Sequence, residues 1–184
     1  MTIVSSGSSR DSRHTPPSLA PLCDRITKDA FAFIAAEAMR PLLGAPDALS
    51  DWPRFVDSWN ELQLETYLPD GHRYRRRLHA TLSAIAGEDK VTLEPHQPHH
   101  QSIDYNALAG GIERWFEPID VEIVAGQAMQ CVLAFCCRMF GELRPNTNWE
   151  IECHQFRIEA RSYTPGRPTP GGVHRDGWTM RWCC

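Results

Sequence analysis

Residues 121–140 constrain the fold more than any other part of the chain. Their sequence, VEIVAGQAMQCVLAFCCRMF, is apolar around most of a helical circumference, which predicts a buried central helix that ends at Gly141. The chain has 184 residues, enough for one domain that buries about two-thirds of its unfolded surface without disulfides. The cysteines of this stretch therefore act as small apolar residues of a core.

Extended segments with a period of two are predicted both before and after this helix in the chain. In WEIECHQFRIEA, apolar residues alternate with charged ones from Trp149 onward, which is typical of a strand. Further strands are predicted in HRYRRRLHATL after the Asp70-Gly71 turn, at Val91–Glu94, and from Val173 after a turn-rich segment. The order reads as helices first and strands last, which indicates an α+β domain.

Two helices are predicted before the first strand. Asp24 can cap a helix whose apolar residues recur at helical spacing as far as Met39. The tetrapeptide Ser50-Asp51-Trp52-Pro53 is a second helix start. Residues 1–20 are rich in Ser, Pro and Arg and are predicted to be a disordered tail.

Two polar clusters are further candidates for binding sites. Arg73, Arg75 and Arg77 share one side of the predicted strand, and such a row favours a solvated face over an anion site. The histidines of PHQPHHQ are predicted to lie in a polar loop rather than in a binding site.

The charge and apolar content exclude several classes of protein. A net charge of −4, from 19 basic and 23 acidic residues, lacks the basic field that draws proteins to nucleic acid. No apolar run is long enough to cross a bilayer, and no signal peptide is evident. Seven cysteines without regular spacing indicate a reducing compartment. We expect a cytoplasmic protein with a small-molecule partner.

The segment His174-Arg175-Asp176 is the strongest candidate for a metal site. Residues two apart in a strand project to the same side, so His174 and Asp176 can offer an imidazole and a carboxylate to one ion. Together they are two-thirds of the facial triad that holds non-haem Fe(II) and leaves positions open.

The segments HQFRI and PTPGGVHRDG resemble the bacterial 2-oxoglutarate and iron dioxygenase family that includes free L-isoleucine hydroxylases. The resemblance extends over roughly residues 20–177 and departs at Gly171, where such sequences commonly have Glu. It implies a domain at 21–177 with N-terminal helices packed on an incomplete double-stranded β-helix, a cupin-like jelly roll. It further implies that His174 and Asp176 bind Fe(II), that 2-oxoglutarate is the cosubstrate, and that a free aliphatic L-amino acid is hydroxylated.

Gln155 and Arg157 are the candidate residues for binding the substrate or cosubstrate. They lie on one face of the strand before His174, where the Arg guanidinium can fork onto a carboxylate. The alternative is that Arg157 pairs with Glu159 or Glu152 on the sheet surface.

The third ligand of the family, a later His, does not occur after His174. We expect that residues 178–184 are a frameshifted or truncated tail, and that the chain as it stands binds iron poorly and is inactive. The alternative is a non-catalytic or zinc-binding interaction protein that uses His154 with Cys153, the Cys136-Cys137 pair, or the histidines of PHQPHHQ.

Overall fold

The computed structural model describes residues 17–44, 47–67, 74–88, 90–100, 111–163, 166 and 179–183, without the side chain of His100. The predicted turn at Asp70-Gly71, the predicted strand at Val173, and both His174 and Asp176 lie outside the described residues, as does most of the predicted N-terminal tail.

Strand β2 (Arg75–Ala84) is the centre of a four-stranded antiparallel sheet. Strand β6 (Trp149–Ile158) pairs with it along its whole length. The other edge of β2 is shared by β1 (Gln63–Leu64) at one end and β3 (Val91–Leu93) at the other. The predicted strands at HRYRRRLHATL, Val91–Glu94 and WEIECHQFRIEA are thereby confirmed.

Residues 117–119 fill the gap between β1 and β3. The backbone N–H of His79 donates to the carbonyl of Glu117, and its carbonyl accepts from Ile119, both at 3.0 Å. His79 is therefore held by backbone hydrogen bonds at the middle of the four-stranded sheet.

A short second sheet consists of strands β4 (His99–His100) and β5 (Glu113–Arg114), which pair antiparallel.

Five helices accompany the sheet in the described part of the chain. They are α1 (Ala20–Asp29), α2 (Ala36–Leu43), α3 (Trp52–Asp57), α4 (Val121–Val124) and α5 (Gln127–Leu143), and a 3-10 turn at Ser58–Asn60 follows α3. The predicted start at Ser50 to Pro53 is confirmed, since α3 begins at Trp52.

The single helix predicted from Asp24 to Met39 is wrong. Helix α1 begins at Ala20 and ends where Ala30 adopts a left-handed conformation with φ of 64°. The aromatic and β-branched residues that follow are poor helix formers, which disfavours continuing the helix across them. The break leaves Phe31 and Phe33 exposed at 73% and 81%.

Helix α5 is the buried central helix that the sequence predicted. One side packs on Leu78, Ala80 and Leu82 of β2 through residues such as Met129 and Leu133. Its other side meets α1 in a second apolar cluster that includes Cys23, Phe135 and Met139. The helix lies between the sheet and the N-terminal helices.

The predicted bounds of this helix are wrong at both ends. The stretch divides at Ala125–Gly126 into α4 and α5, because Asp51 accepts a hydrogen bond from the N–H of Ala128 at 2.8 Å and caps a new helix there. The C-terminal end passes Gly141 and reaches Leu143.

The α+β class is confirmed by helices packed on an antiparallel sheet. The predicted order is wrong, because strands β1 to β5 precede α5 along the chain. Among the described residues, no helix combines the length and apolar character that crossing a bilayer requires.

Candidate metal centre

The two faces of the central sheet have different chemistry. In the register of β2 and β6, His79 lies opposite His154, and Leu78 lies opposite Gln155. Because side chains alternate along a strand, Leu78 and Gln155 face the helices while His79 and His154 face the other way. We call the face that carries His79 and His154 the site face.

Four side chains meet at the site face and form what we call the metal group: His79, Glu152 and His154 of the central sheet and His99 of the second sheet. One ligand atom from each lies within 4.8 Å of the others. Strand β2 supplies His79, β6 supplies Glu152 and His154, and β4 supplies His99. Three separate parts of the chain therefore converge on one point.

Glu152 is the hub of this group. His99 contacts its Oε2 atom through Nδ1, and Nε2 of His154 lies 3.2 Å from the same oxygen. Nε2 of His79 lies 4.0 Å from Oε1. The rings of His79 and His154 stack with centroids 4.7 Å apart. Side-chain contacts thus hold all three imidazoles around one carboxylate.

Burial and hydrogen bonds set the protonation states of His79, His154 and Glu152. Burial lowers the pKa of His79 to about 3 and that of His154 to about 4, because a charged ring is poorly solvated there. Burial alone would raise the pKa of Glu152, but hydrogen bonds from His154 and His99 outweigh it and lower that pKa to about 2. At neutral pH, Glu152 is ionised and His79 and His154 are neutral.

These protonation states are the ones that metal binding requires. Both ring nitrogens of His79 and Nδ1 of His154 are buried and have no hydrogen-bond partner among the described residues. A buried polar atom left unpaired costs about 1–3 kcal/mol, so an ion that accepts a ring lone pair offsets a real cost. Three imidazoles with one carboxylate contain the two-His, one-carboxylate set of non-haem iron sites. The residues fit such an ion.

Arginines with little solvent exposure adjoin the metal group on the same face. Arg75 and Arg77 follow the alternation of β2, and both contact Glu65, whose side chain is fully buried. Nη2 of Arg75 donates to Glu65 at 2.8 Å, whereas Nε of Arg77 is 3.4 Å from it. The predicted solvated face is wrong for these two residues, because Glu65 and an aromatic ring cover them; Arg73 lies outside the described residues.

Phe116 lies close to both the arginines and the histidines. The guanidinium of Arg77 lies 4.6 Å from the centre of its ring, within cation–π distance. The same ring lies 6.1–6.4 Å from the rings of His79, His99 and His154. Arg114 of β5 is buried, with its guanidinium 6.0 Å from this ring. The site face thus combines ligands, positive charge and an apolar wall.

Gln155 and Arg157 lie on the opposite, helix-packed side of β6. Gln155 is 3% exposed, and its amide donates to the hydroxyl of Ser58 at 2.9 Å. Arg157 donates to the carbonyl of Trp59 and to Glu159, both at 3.1 Å. The structure therefore pairs Arg157 with Glu159 and separates both residues from the metal group. A role for them in binding stays a prediction.

Sequence reasoning missed most of the metal group. His79 and Glu152 were not singled out, and His99 was expected in a polar loop, whereas it is 5% exposed in a strand. His154 entered only the zinc alternative, together with Cys153, which points to the other side of β6. The usable signal was the alternation in β2 and β6, which already put His79 with the arginines and Glu152 with His154.

The chain matches one family model and several solved structures, among them a bsmA homolog and IDO. The model of the 2OG-Fe dioxygenase family matches residues 56–183. A bsmA homolog from Methylobium petroleophilum PM1 is 33% identical, with a TM-score of 0.75 over 89% of this chain. IDO from Bacillus thuringiensis is 15% identical with a TM-score of 0.67 over 91% of the chain, a likeness of fold alone. Comparison with curated proteins finds no match to this chain.

The chain spans 64% of the length of the bsmA homolog and 67% of that of IDO. The family match, by contrast, covers more than half of the chain and includes β2, β4 and β6, the strands that carry the metal group. The chain therefore belongs to the 2OG-Fe dioxygenase family, whose members use Fe(II) and 2-oxoglutarate.

Proposed function

We propose that the protein acts as an Fe(II)- and 2-oxoglutarate-dependent dioxygenase that hydroxylates a free aliphatic L-amino acid. The observation that carries this proposal is the metal group, in which imidazoles with buried ring nitrogens and an ionised carboxylate are ready to bind an ion. The amino-acid substrate rests on the resemblance of HQFRI and PTPGGVHRDG to the free L-isoleucine hydroxylases.

The proposed fold is one wall of a cupin-like jelly roll within a domain at 21–177. Support comes from the sheet itself, which is covered by helices on one face and carries polar, convergent side chains on the other. A sheet that encloses a site in this manner is the arrangement expected of a barrel wall.

Two sets of residues are proposed as iron ligands. His174 and Asp176 are proposed from the resemblance, and the metal group is proposed from its geometry. A facial triad takes three protein ligands and leaves three positions open, so the six residues do not all bind one ion. The paired variants H174A/D176A and H79L/H154L decide between the two sets. Only the variant that lacks the residues holding the ion should lose binding of Fe(II).

When bound, iron with 2-oxoglutarate and oxygen supplies an oxidant able to remove hydrogen from an aliphatic carbon. The chain contributes the conditions for this chemistry. Glu152, His79 and His154 would hold the ion, since the ionised carboxylate and these two neutral rings need no change of protonation on binding. Phe116 keeps an apolar wall beside them, which limits access of water.

The test is anaerobic titration with Fe(II) and 2-oxoglutarate, followed by assay of succinate release with a panel of free amino acids. A visible charge-transfer band and amino-acid-dependent succinate support the proposal. A folded protein that gives neither the band nor succinate contradicts it.

Zinc binding without catalysis is the second candidate function. The observation in its favour is that the metal group offers four protein ligands, three His and one Glu, which suffice for a tetrahedral zinc site. Zinc gives no visible band, so a tight, spectroscopically silent site that excludes Fe(II) favours this candidate. Cys153 does not take part, because it faces the helices.

A further inference from the structure

A groove lies on the helix-packed face of the central sheet, on the side opposite the metal group. It has a volume of about 750 Å³, and residues of α3, the 3-10 turn, α4, β2 and β6 line it. This volume is within the range of sites that bind small molecules. The buried residues of the lining form its floor, and they are Ser58, Leu78, Ile123 and Gln155.

The rim of the groove is acidic, and we call the feature the acidic groove. Its exposed carboxylates are Asp57, Glu61, Glu117 and Asp120. No described cation forms an ion pair with any of the four, since Arg54, which also lines the groove, pairs with Glu122 instead. Four acids and one arginine give the lining a charge of −3, whereas the whole chain carries −4. Most of the net negative charge of the protein is therefore concentrated here.

A buried amide oxygen in the floor lacks a hydrogen-bond donor. Gln155 is 3% exposed, and its Oε1 atom has no partner among the described residues. The amide nitrogen donates to the hydroxyl of Ser58 at 2.9 Å, and that hydroxyl donates its only hydrogen to the carbonyl of Phe55 at 2.7 Å. Neither of these groups can donate to Oε1. The floor therefore offers an acceptor to a donor that enters the groove.

The spacing of the acids decides between a metal ion and an organic cation. Among the described residues, only the metal group brings three or more His, Cys or carboxylate ligand atoms within reach of one ion. No three of the rim carboxylates can therefore surround a single Mg²⁺ or Ca²⁺, which need several oxygen ligands at short distance. A chain with several ammonium groups matches separated acids better, and its methylene groups can pack on Leu78 and Ile123.

We propose that the acidic groove binds an aliphatic polyamine. One ammonium group donates to the amide oxygen of Gln155, and the others pair with the rim carboxylates. The inference does not rest on the proposed function, because the acidic groove and the metal group lie on opposite faces of β2 and β6. Gln155 is then a binding residue, but for a cation and away from the metal.

The experiment is isothermal titration of spermidine into the full chain at low ionic strength, with n-butylamine and Mg²⁺ as comparison probes. We expect one spermidine per chain to saturate the site. n-Butylamine should bind at least about 10-fold more weakly, because it has one ammonium group for four carboxylates. Mg²⁺ should also bind more weakly than spermidine, although its charge is higher than that of a single ammonium group.

The first variant neutralises two acids of the rim. Asp57→Asn/Glu61→Gln changes exposed side chains only, so the fold should be retained. We expect spermidine to bind about 3- to 20-fold more weakly, the effect of losing two exposed ion pairs. The matched control is Asp29→Asn/Glu37→Gln, which makes the same chemical changes at exposed positions of α1 and α2, outside the groove. It should bind spermidine within about twofold of the wild type.

The second variant removes the acceptor in the floor without changing the net charge. Gln155→Leu should weaken spermidine about 10-fold, because a hydrogen bond from a charged group is lost. Circular dichroism establishes that the variant is folded. If it does not fold, the rim variant and its control decide the question, since neither alters a buried residue.

Three results overturn the inference. Spermidine that does not saturate below about 1 mM shows that no site is present. A control pair that weakens spermidine as much as the rim pair shows a response to net charge alone. Mg²⁺ that binds as tightly as spermidine shows that the acids attract any cation. Succinate assays with Fe(II) address the proposed hydroxylase separately, so the failure of one proposal leaves the other standing.

Discussion

Replacing His79 by Leu should make the metal-free protein more stable and the metal-loaded protein less stable than the wild type. The His79 side chain is fully buried, and neither ring nitrogen has a hydrogen-bond partner among the described residues. Leu has nearly the volume of His and carries no polar atom. The substitution therefore removes a desolvation cost without opening a large cavity.

The magnitude follows from these contacts. At about 1 kcal/mol each, the two unpaired nitrogens cost about 2 kcal/mol together, and the change of shape returns up to about 1.5 kcal/mol, so we expect a net gain of about 0.5–2 kcal/mol without metal. In a chain of this size, that raises the melting temperature by about 1–8 °C. With metal at about 100 times its Kd, the wild type gains about 2.7 kcal/mol, and H79L gains much less because a ligand is missing.

The assay is urea unfolding of EDTA-treated and zinc-loaded protein, followed by circular dichroism. His96→Leu is the control, because His96 lies outside the metal group and its Nε2 atom is hydrogen-bonded to the carbonyl of Phe116 at 2.8 Å. That variant should lose about 1 kcal/mol with or without metal. If H79L is less stable than the wild type after EDTA treatment, the nitrogens of His79 are not the unsatisfied atoms inferred here.

Three other substitutions test the fold. Leu82→Ala removes a fully buried side chain between β2 and the helices and should lower the free energy of unfolding by about 2–5 kcal/mol in urea; a loss under about 1 kcal/mol contradicts the packing. The exposed pair Arg54–Glu122 is screened by water, so Arg54→Gln should leave the urea midpoint at that of the wild type, and a clear fall contradicts this. Hydrogen bonds from three arginines lower the pKa of Glu159 to about 2, below its value in the unfolded chain. Its stabilising effect is therefore present above about pH 4.5 and is lost as the pH falls towards about 2. The difference in stability between the wild type and Glu159→Gln should accordingly shrink between about pH 6 and pH 3, and a constant difference refutes the assignment.

Local patterns predicted the strands well because each carries its own period. Residues 75–84 and 149–158 alternate strictly enough that their two faces were readable from the sequence. The central helix was readable for the same reason, through its apolar circumference. Its N-terminal boundary was not, because the group that caps α5 is the carboxylate of Asp51, 77 residues away from Ala128 in the chain.

The candidate site depends on pairings that no local pattern contains. Nothing in the sequence states that His79 stands opposite His154, since that register joins residues far apart in the chain. The arginine row was predicted to be solvated because an isolated strand gives no sign of Glu65 or Phe116, which reach it from other segments. His174 and Asp176 lie outside the described residues, so the ligands inferred from the resemblance remain a prediction.

Strand β2 divides two environments that cannot be exchanged. Alternate residues contribute to the apolar core, and those between them lie on the site face, where His79 joins the metal group. Insertion or deletion of one residue within the strand would exchange the two sets, turning Leu78 and Ala80 towards the site face and His79 towards the apolar core. An insertion or deletion within this strand therefore disrupts the core and the metal group together, whereas a substitution changes only one of them.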